Sequence, residues 1–222
     1  MLKYKIYVFF FLLIGLVSFN FTLAAVNDWR LLGKVIYLDP GHGGMDPGAM
    51  YKNIMEKDIN LAISKKLQMK LENMGAIVYL TRYGDYDLAV NNTSNRKRSD
   101  LSRRGNVIDR SKCDLYVSIH LNAELSSTWH GAQVFYDGIN AKNKKIAEIM
   151  QDEFATSLKS ARKYKKITDI YLNKRVKSPG VLLEVGFLSN PNERYLLTSD
   201  VYQNKVSNAI ASGMIKYLIK SN

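Results

Sequence analysis

Apolar residues recur along this chain with two periods, and together they mark out alternating strands and helices. "KVIYL" (34–38) is a short apolar run that reads as a buried strand. From about Glu56 to Met74, positions Ile59, Ile63, Leu67, Leu71 and Met74 fall three or four apart, the spacing of one helix face, and Gly75 supplies a stop. "AIVYLTR" (76–82), "DLYVSIH" (114–120) and "AQVFYDG" (132–138) read as strands, as do "DIYLNKR" (169–175) and "GVLLEV" (180–185). Ile146, Met150, Phe154 and Leu158 mark a helix at i, i+4 spacing. A terminal helix over about 200–219 turns Val206, Ile210, Gly213, Met214 and Tyr217 inward. The polar stretch "YGDYDLAVNNTSNRKRS" (83–99) is too long for a simple connector and reads as a rim loop. Ser99 is expected to cap a helix over "DLSRRGNVIDRS" (100–111), where Leu101 and Ile108 share a face. Alternating β and α units predict one α/β domain, a mixed, largely parallel sheet flanked by helices of the phosphorylase/hydrolase-like kind. No internal repeat or low-complexity linker breaks it.

The N-terminus changes the compartment. In "MLKYKIYVFFFLLIGLVSFNFTLAA", Lys3 and Lys5 precede an apolar run from Ile6 to Val17, and small residues follow near Ala24 and Ala25. Residues 1–25 therefore read as a signal peptide or, if uncleaved, an N-terminal membrane anchor, with 26–33 a linker and 34–220 the working domain. Either way the domain is expected to act outside the cytoplasm. The 222 residues carry 32 Lys+Arg against 20 Asp+Glu, a formal charge of +12, which suits either a polyanionic partner or a solubilising surface. Cys113 is the single cysteine, so no intrachain disulfide and no cysteine-based zinc site can form; at the entry to a strand it is expected to be a buried thiol.

Ionisable residues at strand ends supply candidate chemistry. In open α/β sheets the functional crevice lies beyond the carboxyl ends of the strands. His42 follows the first strand after three loop residues, His120 closes the third, and Glu184 closes "GVLLE". Glu56 falls in the first turn of the helix that the glycine loop "PGHGGMDPG" (40–48) leads into. Two histidines and a carboxylate can make a catalytic zinc set with an open fourth position. Glycines would let the loop fold back so that an imidazole faces the sheet edge. Asp46 or Asp39 could orient a ligand imidazole, and Glu184 is the candidate base. Blander readings stand beside this one: a satisfied strand-end histidine, a carboxylate favoured by a helix N-terminus, a half-buried paired glutamate. A dinucleotide loop is excluded, because G-x-G-x-x-G begun at Gly41 requires glycine where Asp46 stands.

The blocks "IYLDPGHGGMDPGA", "EKDINLAI", "LTR", "DLYVSIHLNA", "GAQVFY" and "LLEVGFLSNPNE" resemble the zinc-dependent N-acetylmuramoyl-L-alanine amidases of bacterial cell walls. The likeness spans about residues 34–220, and "WHGAQVFYDG" with "KSPGVLLEVGFLSNPNE" is most similar to the germination-specific amidases of spore-forming bacteria. The resemblance implies zinc bound by His42, Glu56 and His120, and Glu184 as the catalytic carboxylate. It implies hydrolysis of the peptidoglycan amide between the lactyl group of muramic acid and L-alanine. Stem removal would expose a carboxyl that a second enzyme can turn into muramic-δ-lactam of the spore cortex. Asn122, two residues beyond His120 on the same strand, is a candidate substrate-binding residue. Gln133 stands where many members have glutamate, and no role is carried onto it; His130 is expected in a surface loop.

The run "NRKRSDLSRR" (95–104) places five basic residues in ten, suited to an anionic wall polymer or phospholipid head groups. It lacks interleaved aromatics, and with an extracytoplasmic location this makes nucleic acid an unsuitable partner. A regulatory or activating protein partner is an expectation of so short a domain without a targeting module. The rival readings are a zinc peptidase cutting within the stem peptide and a catalytically idle basic wall-binding protein.

Overall fold

The computed structural model describes residues 29–168, 172 and 175–220. Strand β1 (Val35–Pro40) leads through the glycine loop and a small hairpin, β2 (Met50–Tyr51) and β3 (Ile54–Met55), into helix α1 (Glu56–Glu72). Then come β4 (Ile77–Leu80), α2 (Arg96–Ser111), β5 (Leu115–Asn122), β6 (Gln133–Tyr136) and α3 (Asn143–Ser157). The chain closes with β7 (Lys165–Lys166), β8 (Gly180–Phe187), α4 (Pro191–Leu197) and α5 (Asp200–Lys220). Six strands form one sheet in the order β4-β1-β5-β8-β6-β7. All neighbours are parallel except β8 and β6. The mixed, largely parallel sheet expected from the sequence is therefore present. Its central strands are buried on both faces, which is why they read as continuous apolar runs.

The two faces differ. Ile36, Leu38, Val117, Ile119, Val181 and Leu183 point to one side, into a core shared with α1, α3 and α5. Each such side chain stabilises the fold by about 1.5–3 kcal/mol when fully buried. On the other side Tyr37 and Tyr116 pack with Ile108 of α2, Cys113, Leu172 and Val176. Cys113 is the buried thiol expected, and burial raises its pKa. Because side chains alternate along a strand, Asp39, Ser118, His120, Leu182 and Glu184 share this second face, beyond the smaller core.

Local corrections have local causes. Helix α2 begins earlier than expected, because the Asn95 side chain caps it, accepting from the Arg98 amide at 3.0 Å; the Ser99 hydroxyl accepts from Val90 N instead. Residues 29–33 are not a free linker: Leu31 is fully buried, and the amides of Leu31 and Gly33 donate to the carbonyls of Met74 and Gly75. Strand β5 runs on to Asn122, so His120 and Glu184 lie within strands rather than closing them. The hairpin β2–β3 and the short α4 were not anticipated. Signal or anchor residues 1–25, residues 26–28 and most of the expected strand 169–175 lie outside the described residues. Among the described residues no helix is long and apolar enough to cross a membrane.

Candidate metal centre

Three donors meet where β1 and β5 hand the chain to the glycine loop and α1. Glu56, the first residue of α1, is buried, and its Oε1 lies 3.1 Å from His42 Nε2 and 3.0 Å from His120 Nδ1. The ligand atoms of His42, Glu56 and His120 all lie within 4.8 Å of one another. Tetrahedral zinc with bonds of about 2.1 Å holds its ligands roughly 3.4 Å apart, so this donor set fits the ion in both chemistry and spacing.

Glu56 is held in place from every side. The Ala49 amide donates to Oε2 at 2.8 Å, while the Leu121 amide and the Asn60 side chain donate to Oε1 at 3.0 and 3.2 Å. Burial alone would raise its pKa; hydrogen bonds from His120 and His42 overturn that and keep the carboxyl far below the ordinary range. His42 Nδ1 lies 2.9 Å from Asp46 Oδ2, which leaves Nε2 facing Glu56. Burial opposes protonation of His42, but Glu56 and then Asp46 outweigh it and raise its pKa. Of the two aspartates considered as orienters, Asp46 lies beside a ligand imidazole, whereas Asp39 pairs with Arg104.

The glycines act by what they lack. A Cβ on Gly41 would sit 2.3 Å from His120 Cε1, and one on Gly48 would sit 2.5 Å from Glu56 Oε2 and 2.6 Å from His42 Cδ2. Gly48 also adopts a left-handed φ of 68°. His42 itself is left-handed, φ 62°, an unfavourable conformation for histidine that its surroundings must hold.

Two buried arginines do this, and the sequence reading missed both. Arg104 Nη1 donates to Pro40 O at 2.8 Å and Nη2 to His42 O, while Arg82 donates to Pro40 O and to Gly41 O, each at 3.0 Å. Three successive carbonyls of the loop are thus clamped. Arg104 pairs with Asp39 at 2.9 Å and, through Nε, with Asp100 at 2.9 Å. Asp39 accepts further from Thr81 and Ser118. The expected basic surface at 95–104 is therefore smaller than its composition suggests: Arg104 is buried and Arg96 pairs with Asp87. The long loop 83–99 buttresses the outside, where Asp85 accepts from Gly44 N and from Lys57 Nζ.

His42 and His120 line a cavity of about 220 Å³, with Asp100, Lys97 and Glu184 among its other walls. Glu184 lies opposite His120 in the β5–β8 register. Its Oε2 is shielded from solvent and has no hydrogen-bond partner among the described residues. Burial first, and the Glu56 charge second, raise its pKa well above the ordinary value. Such a carboxyl is suited to taking and returning a proton. The β5–β8 register shifts between His120/Glu184 and Asn122/Phe187, and Asn122 lines a neighbouring groove rather than this cavity. His130 is exposed in a loop. Gln133 lies opposite Glu184 in the β6–β8 register.

The sequence profile of the N-acetylmuramoyl-L-alanine amidases matches residues 36–216. The chain belongs to this family. The amidase is 44% identical over 214 residues to the germination-specific N-acetylmuramoyl-L-alanine amidase of Bacillus subtilis, covering 92% of this chain and 90% of that one. Its fold matches the CwlD amidase of Clostridioides difficile, solved in complex with the GerS lipoprotein, with a TM-score of 0.80 and 42% identity over 84% of this chain and 98% of that one. The catalytic domain of CwlV, an amidase of Bacillus (Paenibacillus) polymyxa var. colistinus, matches with a TM-score of 0.74 and 32% identity over 83% of this chain and 98% of that one.

Proposed function

We propose that this amidase hydrolyses the peptidoglycan amide between muramic acid and L-alanine, using zinc held by His42, Glu56 and His120. The observation that carries this reading is the convergence of those donors beside a half-buried Glu184 whose Oε2 has no hydrogen-bond partner among the described residues, in a chain of this family. Bound there, zinc supplies Lewis acidity to the amide carbonyl and to water at neutral pH. The protein supplies the rest. Glu184 accepts the proton of the attacking water and returns it to the leaving nitrogen, so that L-alanine departs as a neutral amine. Asp46 holds the His42 tautomer, and Asn122 hydrogen-bonds the substrate beyond the reacting bond.

Likeness to the germination-specific enzyme of B. subtilis supports a place in spore cortex processing, where stem removal prepares muramic acid for lactam formation. The domain then works outside the cytoplasm, delivered or tethered by residues 1–25. The C. difficile complex supports a protein partner for this chain as well.

The test is digestion of purified peptidoglycan by the zinc-loaded protein, with products read by mass spectrometry. Intact stems beginning with L-alanine are expected. Glu184→Gln should lower the rate by roughly 10²- to 10⁴-fold with zinc content unchanged. Shortened stems left on the glycan would replace this reading with the peptidase, and no product despite bound zinc would leave a wall-binding protein.

A further inference from the structure

Beside the metal cavity lies a groove of about 350 Å³, lined by Asn122, Gln133, Arg162, Lys165 and Phe187, with Glu124 its one carboxylate. Arg162 is its organising residue. Its guanidinium carbon stands 4.7 Å from the Trp129 ring centroid and 4.8 Å from that of Phe187, and Nε donates to His130 O at 2.9 Å. The side chain is thereby fixed at three points. Its two terminal nitrogens have no protein partner among the described residues, nor does the exposed ammonium of Lys165. A guanidinium whose position is set by stacking, and whose fork is left open, is pre-organised for a carboxylate.

The groove is continuous with the reaction centre through the sheet. His120, Glu184 and Gln133 form one row across β5, β8 and β6. Phe135, two residues beyond Gln133 and on the same face, lies opposite Lys165. From Glu184 to Lys165 this is two strand spacings across and one two-residue step along, about 12 Å. Three extended peptide residues span roughly 10 Å, and the arginine and lysine side chains cover the remainder. Arg162 covers the Trp129 and Phe187 rings on which a sugar would stack, Phe135 being the other ring of the lining. The open polar groups are the Arg162 fork and the Lys165 ammonium, while the Gln133 amide nitrogen already donates to Lys163 O at 2.8 Å. The groove thus fits an acidic peptide better than a glycan.

We infer that Arg162, with Lys165, binds the carboxylates of the stem peptide and makes this site selective for acidic over amidated stems. The inference rests on the amidase reading for the identity of the peptide. It assigns Asn122 and Gln133 to the backbone of the same peptide, and no acid–base role to either.

Two arms test it. In the first, two muramyl peptides are compared that differ only in whether the second stem residue carries a free carboxylate or its carboxamide. Wild type should favour the acid about tenfold or more in kcat/KM, chiefly through KM. Arg162→Gln should lower kcat/KM on the acid by about ten- to hundredfold and on the amide by less than about threefold, and Lys165→Gln should act in the same direction more weakly. Equal losses on both substrates in an active enzyme would overturn the inference. In the second arm the free stem peptide is titrated into the Trp29→Phe protein, where Trp129 is the remaining tryptophan, and its fluorescence is followed. Binding of the acid, weakened in the amide and in Arg162→Gln and falling with salt, supports the groove even if no bond is cut. Failure of the amidase reading would appear as wild type cleaving neither substrate; failure of this inference appears as peptide binding blind to the carboxylate.

Discussion

Gly41→Ala tests whether the loop sequence is dictated by the metal centre. Gly41 has no left-handed backbone to accommodate, so alanine is acceptable to the chain itself. The obstacle is the His120 ring, whose Cε1, Nε2 and Nδ1 atoms would lie 2.3, 2.4 and 2.6 Å from the new methyl carbon. Ordinary carbon contacts are about 3.5–4.0 Å, so the ring must retreat by more than about 1 Å. Metal–ligand distances tolerate only about 0.2 Å. The displacement is several times that tolerance, and zinc affinity should fall by about 10²- to 10³-fold, or roughly 2.7–4 kcal/mol. Stability should suffer less. The side chain of His120 is 20% exposed and borders the cavity, so it can turn into open space, and overpacking should cost at most about 1–3 kcal/mol.

The assay is zinc affinity by competition with a chelating dye, alongside thermal unfolding in excess chelator. Gly33→Ala is the control: its φ of 75° strains a side chain, yet nothing lies within 4 Å of the added Cβ. It should lose about 1–2 kcal/mol of stability and no zinc. If Gly41→Ala kept zinc within threefold of wild type, His120 would not be the reason that residue 41 lacks a side chain.

Two further expectations concern the braces behind the loop. Arg104→Met removes the cation shared by Asp39 and Asp100, releases the His42 carbonyl and leaves that of Pro40 to Arg82 alone. Chemical denaturation of the zinc-free protein should show a loss of about 3–5 kcal/mol, with weaker zinc binding; a loss under about 1 kcal/mol would mean that the clamp does not hold the loop. Burial opposes ionisation of Asp39, but Arg104 and hydrogen bonds from Thr81 and Ser118 prevail and hold its pKa below the ordinary 3.8. This stabilisation is full above about pH 4 and is lost as the pH falls further, through the folded-state pKa. Asp39→Asn should therefore be less stable at neutral pH and flatter in acid than wild type, and parallel urea-denaturation curves from pH 7 to pH 3 would show that Asp39 is not the group responsible.

The strands that form the sheet's centre and the four helices named in advance were legible because each buries a face with a regular period, whereas the strand expected at 169–175 has no counterpart among the described residues. Ile59, Ile63, Leu67 and Leu71 are buried along α1, as their spacing requires. The helix start at Asn95 was not, because Asn95 and Ser99 are both competent caps and only the tertiary setting of the preceding loop decides between them. The hairpin β2–β3 has four strand residues in all, too few to carry a period. Leu31 looked like linker because a single buried residue leaves no pattern.

The candidate site divides along the same line. His42, Glu56, His120 and Glu184 could be singled out because each stands at or near the junction of an apolar element and a loop, where a polar side chain is out of keeping with its neighbours. Arg82 and Arg104 were passed over because basic residues are read by habit as surface. Yet Leu101, Arg104 and Ile108 follow i, i+3, i+7, which places Arg104 on the inward stripe of α2, and Arg82 shares strand parity with Val78 and Leu80, both buried. Periodicity was therefore reporting burial for arginine as faithfully as for leucine. A buried arginine must find partners for its charge and its five N–H groups, and in this chain they are supplied by two aspartates and the carbonyls of the loop that presents His42. Had that requirement been applied to the sequence, it would have pointed from "NRKRSDLSRR" to Asp39, and from there to the back of the metal centre.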